Sequence, residues 1–308
     1  MAHAYTPGLK VLHYTKLKKN RRLPIKGEVS KGKGDKVNAD DVIAKTDLPG
    51  NVNMLKVANL LNISPADIHD VLEVKEGDNV NKGDMIAQTD GLFGFFKSDV
   101  RSPISGTIES ISDVTGQIVM REAPIPVEVD AYVEGIVSDV IKDEGVTIES
   151  EAAYIQGIFG IGGESRGDLH VVVNNRDEEI TKDSINSSHA GKIIVGGSFI
   201  SLDAYKKAIE LKVRGVVVGG FNYFDLEDIL GYTLGVAITG TEDLVTSLIV
   251  TEGYGNIKMS ERTFNLLKKH DGKFVSVNGA TQIRAGVIRP EIVIPLDADQ
   301  IPDNKKDD

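Results

Sequence analysis

GDKVNADDVIAKTD (residues 34–47) and GDNVNKGDMIAQTD (77–90) are one motif written twice. Nine of the fourteen positions are identical at an offset of 43, which chance does not produce in a chain of 308 residues. Each copy opens on Gly-Asp, where glycine supplies a positive φ and the aspartate caps its own turn. A Val, a second turn and an Ile-Ala pair follow, so each copy reads as strand, tight turn, strand.

Working outward, SGTIESISDVTGQIV (105–119) and EGIVSDVIKDEGVTI (134–148) share a further pattern at an offset of 29. Short, evenly punctuated strands over 23–175 favour a β sandwich or barrel. One helical stretch interrupts them. In MLKVANLLNISPADIHDVL (54–72), Leu55, Val57, Leu60, Leu61, Ile68 and Leu72 keep mostly helical spacing. Ser64-Pro65 restarts the helix, so two short helices are expected.

VKEGDNVNKGDMIAQTD followed by RSPISGTIESI resembles the barrel-sandwich hybrid fold of biotinyl and lipoyl domains. It is nearer to the non-carrier versions in membrane-fusion adaptors, RNA polymerase large subunits and the C-type subunits of ion-pumping electron-transfer complexes. The resemblance covers roughly residues 23–120. In carrier domains it implies a modified lysine in a hairpin. The matching stretch here is TDGLFGFFKSDVRS, where Lys97 stands between Phe96 and Ser98 and the hairpin is longer. Lys97 is therefore expected to be unmodified. The apolar tip, with Phe93, Phe95 and Phe96, suits contact with a partner or another domain.

From residue 191 the period changes. Apolar strands KIIVGGS (192–198), GVVVGGF (215–221), GVAITG (235–240) and SLIVTEGYG (247–255) alternate with helical stretches at 201–212, 225–230 and 260–272. FVSVNG (274–279) and EIVIP (291–295) complete the strands. Such alternation indicates a mainly parallel sheet covered on both faces. The expected fold is thus α+β multidomain: an all-β barrel-sandwich hybrid region, then a smaller α/β domain. The expected division is a basic head 1–22, a barrel-sandwich domain 23–125 with its helical insertion 54–72, a β region 126–185, an α/β domain 191–296 and a polar tail 297–308.

In open α/β sheets ligands sit outside the carboxyl ends of strands. That rule selects Gly197, Ser198, Gly220, Thr241, Glu242 and Glu252 as a candidate ligand site, with the turn before Ser201 as its anion seat. Gln282, Arg284 and Arg289 could add a clamp. The glycine cluster YIQGIFGIGGESRG (154–167) lacks the helix a dinucleotide fingerprint needs and the lysine of a phosphate loop; Glu164 and Arg166 are its polar residues.

Catalytic signals are sparse. There is no cysteine, which excludes disulfides, thiolate chemistry and iron–sulfur ligation. The six histidines form no metal-ligand spacing, so no metal and no cofactor are expected. A hydrolase triad of Ser198, His189 and an acid is a further reading, without a sequence motif behind it. Residues 1–36 hold ten Lys or Arg against Glu28 and Asp35, so that segment is about +8 and the rest about −19 of a net −11. Such a head meets an anionic surface or neutralises its own acidic body. No apolar run spans a bilayer and no secretory signal opens the chain, so a cytoplasmic location is expected. The function expected is a non-enzymatic adaptor with a protein partner. The alternatives are a small-molecule sensor or enzyme using the strand-end crevice, and a biotinyl or lipoyl carrier. Catalytic residues, substrate and oligomeric state are not legible.

Overall fold

The computed structural model describes residues 8–89, 97–230, 244–282 and 288–302. Strands β1 (Val11–Arg22), β2 (Glu28–Val29), β3 (Lys36–Val37), β4 (Val42–Leu48) and β5 (Val52–Leu55) come first. Helices α1 (Val57–Leu61) and α2 (Ile68–Val71) follow. Then come β6 (Asn79–Val80), β7 (Met85–Gln88), β8 (Asp99–Arg101), β9 (Gly106–Ser112) and β10 (Gln117–Arg121). β11 (Ile125–Asp130), β12 (Gly135–Ile141) and β13 (Gly145–Gln156) close this part.

The chain forms two compact units. One holds residues 1–22, 29–44 and 129–308; the other holds 23–28 and 45–128. This corrects the expectation that both Gly-Asp copies lie in one unit spanning 23–125. Residues 34–44 of the first copy belong to the larger unit, and residues 45–47 with the whole second copy to the smaller. Strand pairing gives the reason. β3 pairs with β12 (Val37 with Gly135, Lys36 with Ile136), whereas β6 pairs with β9 (Val80 with Gly106, Asn79 with Thr107). The two sequence offsets, 43 and 29, are therefore two halves of one duplication. Each Gly-Asp motif builds its half-barrel with its own copy of the second motif.

The hydrogen bonds repeat atom for atom. Gly34 N–H donates to Val137 O at 2.8 Å, and Gly77 N–H donates to Ile108 O at 2.8 Å. Val137 N–H returns to Asp35 O, and Ile108 N–H to Asp78 O, both at 2.9 Å. Ala131 N–H donates to Asp41 O and Ser102 N–H to Asp84 O, again at 2.9 Å. Gly34 and Gly77 have φ of +93° and +90°, as the turn requires. Asp35 accepts the Gly32 N–H at 2.7 Å and Asp78 accepts the Lys75 N–H at 2.9 Å. Val37, Ile43 and Ala44 are buried in one copy, Val80, Ile86 and Ala87 in the other.

The partner hairpins match too. β9 and β10 bulge at Glu109, and β12 and β13 bulge at Ser138. A Cβ on Gly106 would strike the Arg121 carbonyl; a Cβ on Gly135 would strike the Glu149 carbonyl. β5 flanks β10 as β1 flanks β13: Val52 opposes Arg121 where Lys18 opposes Glu149. Met54 and Leu55, expected in the helix, are thus strand residues. The helical insertion runs as α1, a 3-10 turn at Pro65–Asp67, and α2.

Aligned this way, Asp47 corresponds to Asp90 and Glu128 to Asp99. Residues 48–127 of the outer copy stand where residues 91–98 connect β7 and β8 in the inner one. The inner half-barrel is written into a loop of the outer.

The larger unit continues with β14 (Phe159–Ile161), β15 (Glu164–Val171), β16 (Glu179–Ile180), β17 (Ile193–Val195) and β18 (Phe199–Ile200). It ends with α3 (Leu202–Glu210), β19 (Gly215–Phe221), α4 (Tyr223–Leu230), β20 (Ser247–Tyr254), α5 (Glu261–Lys269), β21 (Phe274–Asn278) and β22 (Glu291–Pro295). β20, β19, β17 and β15 are parallel neighbours in that order. Ile193–Val195, Val216–Val218 and Leu248–Val250 are buried, with Tyr205, Leu226, Phe264 and Leu267 on them from the helices. The mainly parallel reading holds for these four strands. β14, β21 and β22 are antiparallel to their neighbours. β15 and β13 lie in the same sheet as the parallel set, and residues 129–185 and 191–296 belong to one compact unit. The strand expected at 235–240 lies outside the described residues.

Candidate functional site

The apolar tip of the inner copy, with Phe93, Phe95 and Phe96, lies outside the described residues. Its base is described. β7 and β8 pair Gln88 with Asp99, the Thr89 N–H donates to Ser98 O at 2.9 Å, and the Ser98 N–H donates to Thr89 Oγ1 at 3.1 Å. Thr89 and Ser98 thus form one closed pair. Lys97 is exposed next to it.

Gly197, Ser198, Gly220 and Glu252 lie toward the carboxyl ends of the parallel strands. They do not leave a seat there. The Gly197 and Ser198 N–H groups both donate to Glu178 O, at 3.2 and 2.9 Å. Ser198 Oγ donates to Asp177 O at 3.0 Å, and the Gly220 N–H donates to Ser198 O at 2.8 Å. A Cβ on Gly197 would come within 2.6 Å of Glu178 O, and one on Gly220 would strike Gly255 O. Glu252 Oε1 accepts the Ser260 N–H at 2.8 Å at the head of α5. Segments 174–179 and 255–259 thus use the donors an anion would need. The glycines permit chain crossings, which a motif reading cannot tell from ligand approach. Thr241, Glu242 and Arg284 lie outside the described residues. Arg289 donates to Ile158 O at 3.0 Å. Ser198 and His189 do not bond one another: His189 Nδ1 accepts the Asn186 N–H at 3.2 Å.

Sequence reading missed a charged network in the outer copy. Lys19 Nζ lies 2.5 and 2.7 Å from the two carboxylate oxygens of Glu291, which also accept the hydroxyls of Tyr132 (3.1 Å) and Tyr154 (3.0 Å). Arg21 grips Glu164 with two bonds of 2.6 and 2.8 Å and reaches Asp130 at 3.0 Å. Arg166 bonds Asp130, Asp40 at 2.6 Å, and the Ala39 carbonyl at 2.7 Å. Burial, then the charge of Glu291, pushes the Tyr132 hydroxyl far above its ordinary value. Burial alone would lower the Arg166 guanidinium; the hydrogen bond and charge of Asp130 outweigh it and raise it. Tyr132 has φ +65°, a left-handed backbone, while its inner counterpart is Pro103, whose ring forbids that angle. The aromatic ring sits 5.8 Å from Lys19 Nζ and 5.3 Å from the Arg21 guanidinium carbon. The Glu291 end of this network is buried, and its charges are paired within the fold. The signals legible for it were the excess of cations before residue 36 and the polar pair Glu164 and Arg166 in the glycine cluster.

The basic head is therefore a strand whose cations face the chain's own acids. Lys16 lies 3.9 Å from Glu151, Lys18 3.7 Å from Glu149, and Arg22 3.5 Å from Glu144. Among the described residues no helix is long and apolar enough to cross a membrane, and no cluster of His, Asp and Glu could hold a metal.

With this geometry in view, a family model described as the RnfC barrel sandwich hybrid domain matches residues 68–144. The match begins in α2, takes in the whole second Gly-Asp motif and ends in the turn after β12. It makes the barrel-sandwich hybrid the fold of this region, resembling that of an electron-transfer complex C subunit. No curated protein and no solved structure matches the chain.

Proposed function

We propose that the protein is a non-enzymatic adaptor that joins a partner protein to an assembly through the tip of its inner half-barrel. The observation that carries this reading is the correspondence of residues 91–98 with residues 48–127. One fold position holds a whole module in the outer copy and an apolar sequence, Leu92-Phe93-Gly94-Phe95-Phe96, in the inner one. An apolar run of that kind in a sequence suits burial against another protein. The resemblance to a C subunit of a multisubunit complex agrees with a protein partner. The closed strand-end crevice weighs against the sensor reading built on it. In this reading Lys97 carries no biotin or lipoyl group, and the adaptor works in the cytoplasm.

The test is affinity capture from the native host with the wild-type chain, a Phe93→Asp/Phe95→Asp/Phe96→Asp variant, and Phe224→Asp as an exposed apolar control. A partner held by wild type and the control but lost by the triple variant supports the reading. Equal capture by all three, or an adduct on the Lys97 peptide in an intact-mass measurement, sinks it.

A further inference from the structure

The cleft at the start of the parallel strands stands apart from the adaptor reading. It has a volume of about 380 Å³ and is lined by Asp40, Glu164, Arg166, Asp168, Arg214 and Phe274, among others. That size holds a small ligand. Along β15, residues 164, 166 and 168 alternate with the pleat and share one face, so acid, base and acid follow one another along the wall.

Two of the three are saturated. Glu164 takes both Arg21 bonds, and the Arg166 guanidinium is spent on Asp130, Asp40 and the Ala39 carbonyl. Asp168 and Arg214 are different. Both are exposed in the same cleft, and neither side chain has a hydrogen bond or ion pair among the described residues.

Register explains why they do not pair with each other. Leu169, Ile193 and Gly215 are aligned across β15, β17 and β19. Asp168, Lys192 and Arg214 precede them in one row. Asp168 and Arg214 are thus two strands apart, roughly 10 Å between backbones at the usual strand spacing. Lys192, between them in the row, adds positive field beside Arg214. Phe274 opposes Asp168 on β21 and is 44% exposed, an aromatic face at the rim.

We propose that this cleft binds a small zwitterion of amino-acid size, its ammonium on Asp168, its carboxylate on Arg214 and its apolar side chain against Phe274. A bare anion meets Asp40, Glu164 and Asp168; a bare cation meets Arg166 and Arg214. A molecule carrying both charges satisfies each free group with its opposite, and arginine is suited to two-point capture of a carboxylate.

Isothermal titration of the full chain with L-phenylalanine, L-phenylalaninamide and N-acetyl-L-phenylalanine tests this, with 5-aminopentanoate as a longer zwitterion. L-phenylalanine or 5-aminopentanoate is expected to bind. Loss of either charge, in the amide or the N-acetyl compound, should weaken binding about tenfold or more, as a lost charged hydrogen bond does. Asp168→Asn and Arg214→Gln should each produce the same loss at unchanged melting temperature. In Asp168→Asn the penalty for N-acetylation should vanish. No heat with either zwitterion, equal binding of the singly charged derivatives, or wild-type affinity in both variants would overturn the proposal.

Discussion

The half-barrel that begins at Gly34 and the one that begins at Gly77 make the same turns, the same bulge and the same glycine crossings from different surroundings. In the inner copy the motifs lie close in sequence, and the strand flanking them, β5, is four residues long with Val52 and Met54 exposed. In the outer copy the motifs are parted by the inner module. Its flanking strand, β1, is twelve residues long and lined with cations that meet acids from β13, β15 and β22. The shared features are those that backbone geometry requires. The divergent ones are side chains facing what each copy packs against: an open strand edge in one, a large sheet in the other.

If the copies are equivalent, matched substitutions must do matched damage. The largest effect is expected at the crossings. Gly106→Val and Gly135→Val each drive a Cβ into a carbonyl and should cost about 4 kcal/mol or more in their own unit, read by chemical unfolding. A severe loss at one and none at the other breaks the comparison.

Next comes a difference. Lys19→Met leaves Glu291 buried with only tyrosine hydroxyls and should destabilise the larger unit by about 3 kcal/mol. Asn53, which occupies the corresponding place on β5, should tolerate replacement by methionine with a change of about 0.5 kcal/mol or less.

The pH response should also separate the units. Burial, then the charges of His170 and Lys192, lowers the His189 imidazole; burial, then Lys269, Lys273 and His13, lowers His270. A histidine with a depressed folded value binds its proton more readily when unfolded. The larger unit should keep its full stability above the ordinary histidine range and lose it as pH falls through that range. Melting scans from pH 8 to 5 read this, and in a His189→Gln/His270→Gln variant that still folds the slope should flatten. An unchanged slope contradicts the assignment.

The smallest effect is at the turn aspartates. Asp35→Ala and Asp78→Ala each free one backbone N–H and should cost about 1 kcal/mol, equal within about 0.5.

The local content of the duplication was legible. Repeated Gly-Asp turns, the Ile-Ala strands and the glycine before each second hairpin stand in the residues themselves. Which copy pairs with which was not, because identical motifs satisfy either pairing locally and only the register of β3 with β12 decides. The parallel strands were legible from their apolar runs; the antiparallel β21 and β22 were not, since an apolar run has no direction. Gly197 and Gly220 marked close approach correctly, but the approaching group was the chain. Asp168 and Arg214 carried no motif at all. They matter only through being left over once Arg21, Asp130 and Arg166 have paired.

The account rests most on the claim that residues 48–127 are inserted at the place residues 91–98 occupy in the inner copy. Replacing 48–127 with GLFGFFKS, the sequence of 91–98, tests it directly. The shortened chain should remain folded, with a cooperative melting transition and dispersed amide resonances, because β4 and β11 would then be joined as β7 and β8 are. An unfolded or molten product would contradict the nested half-barrel.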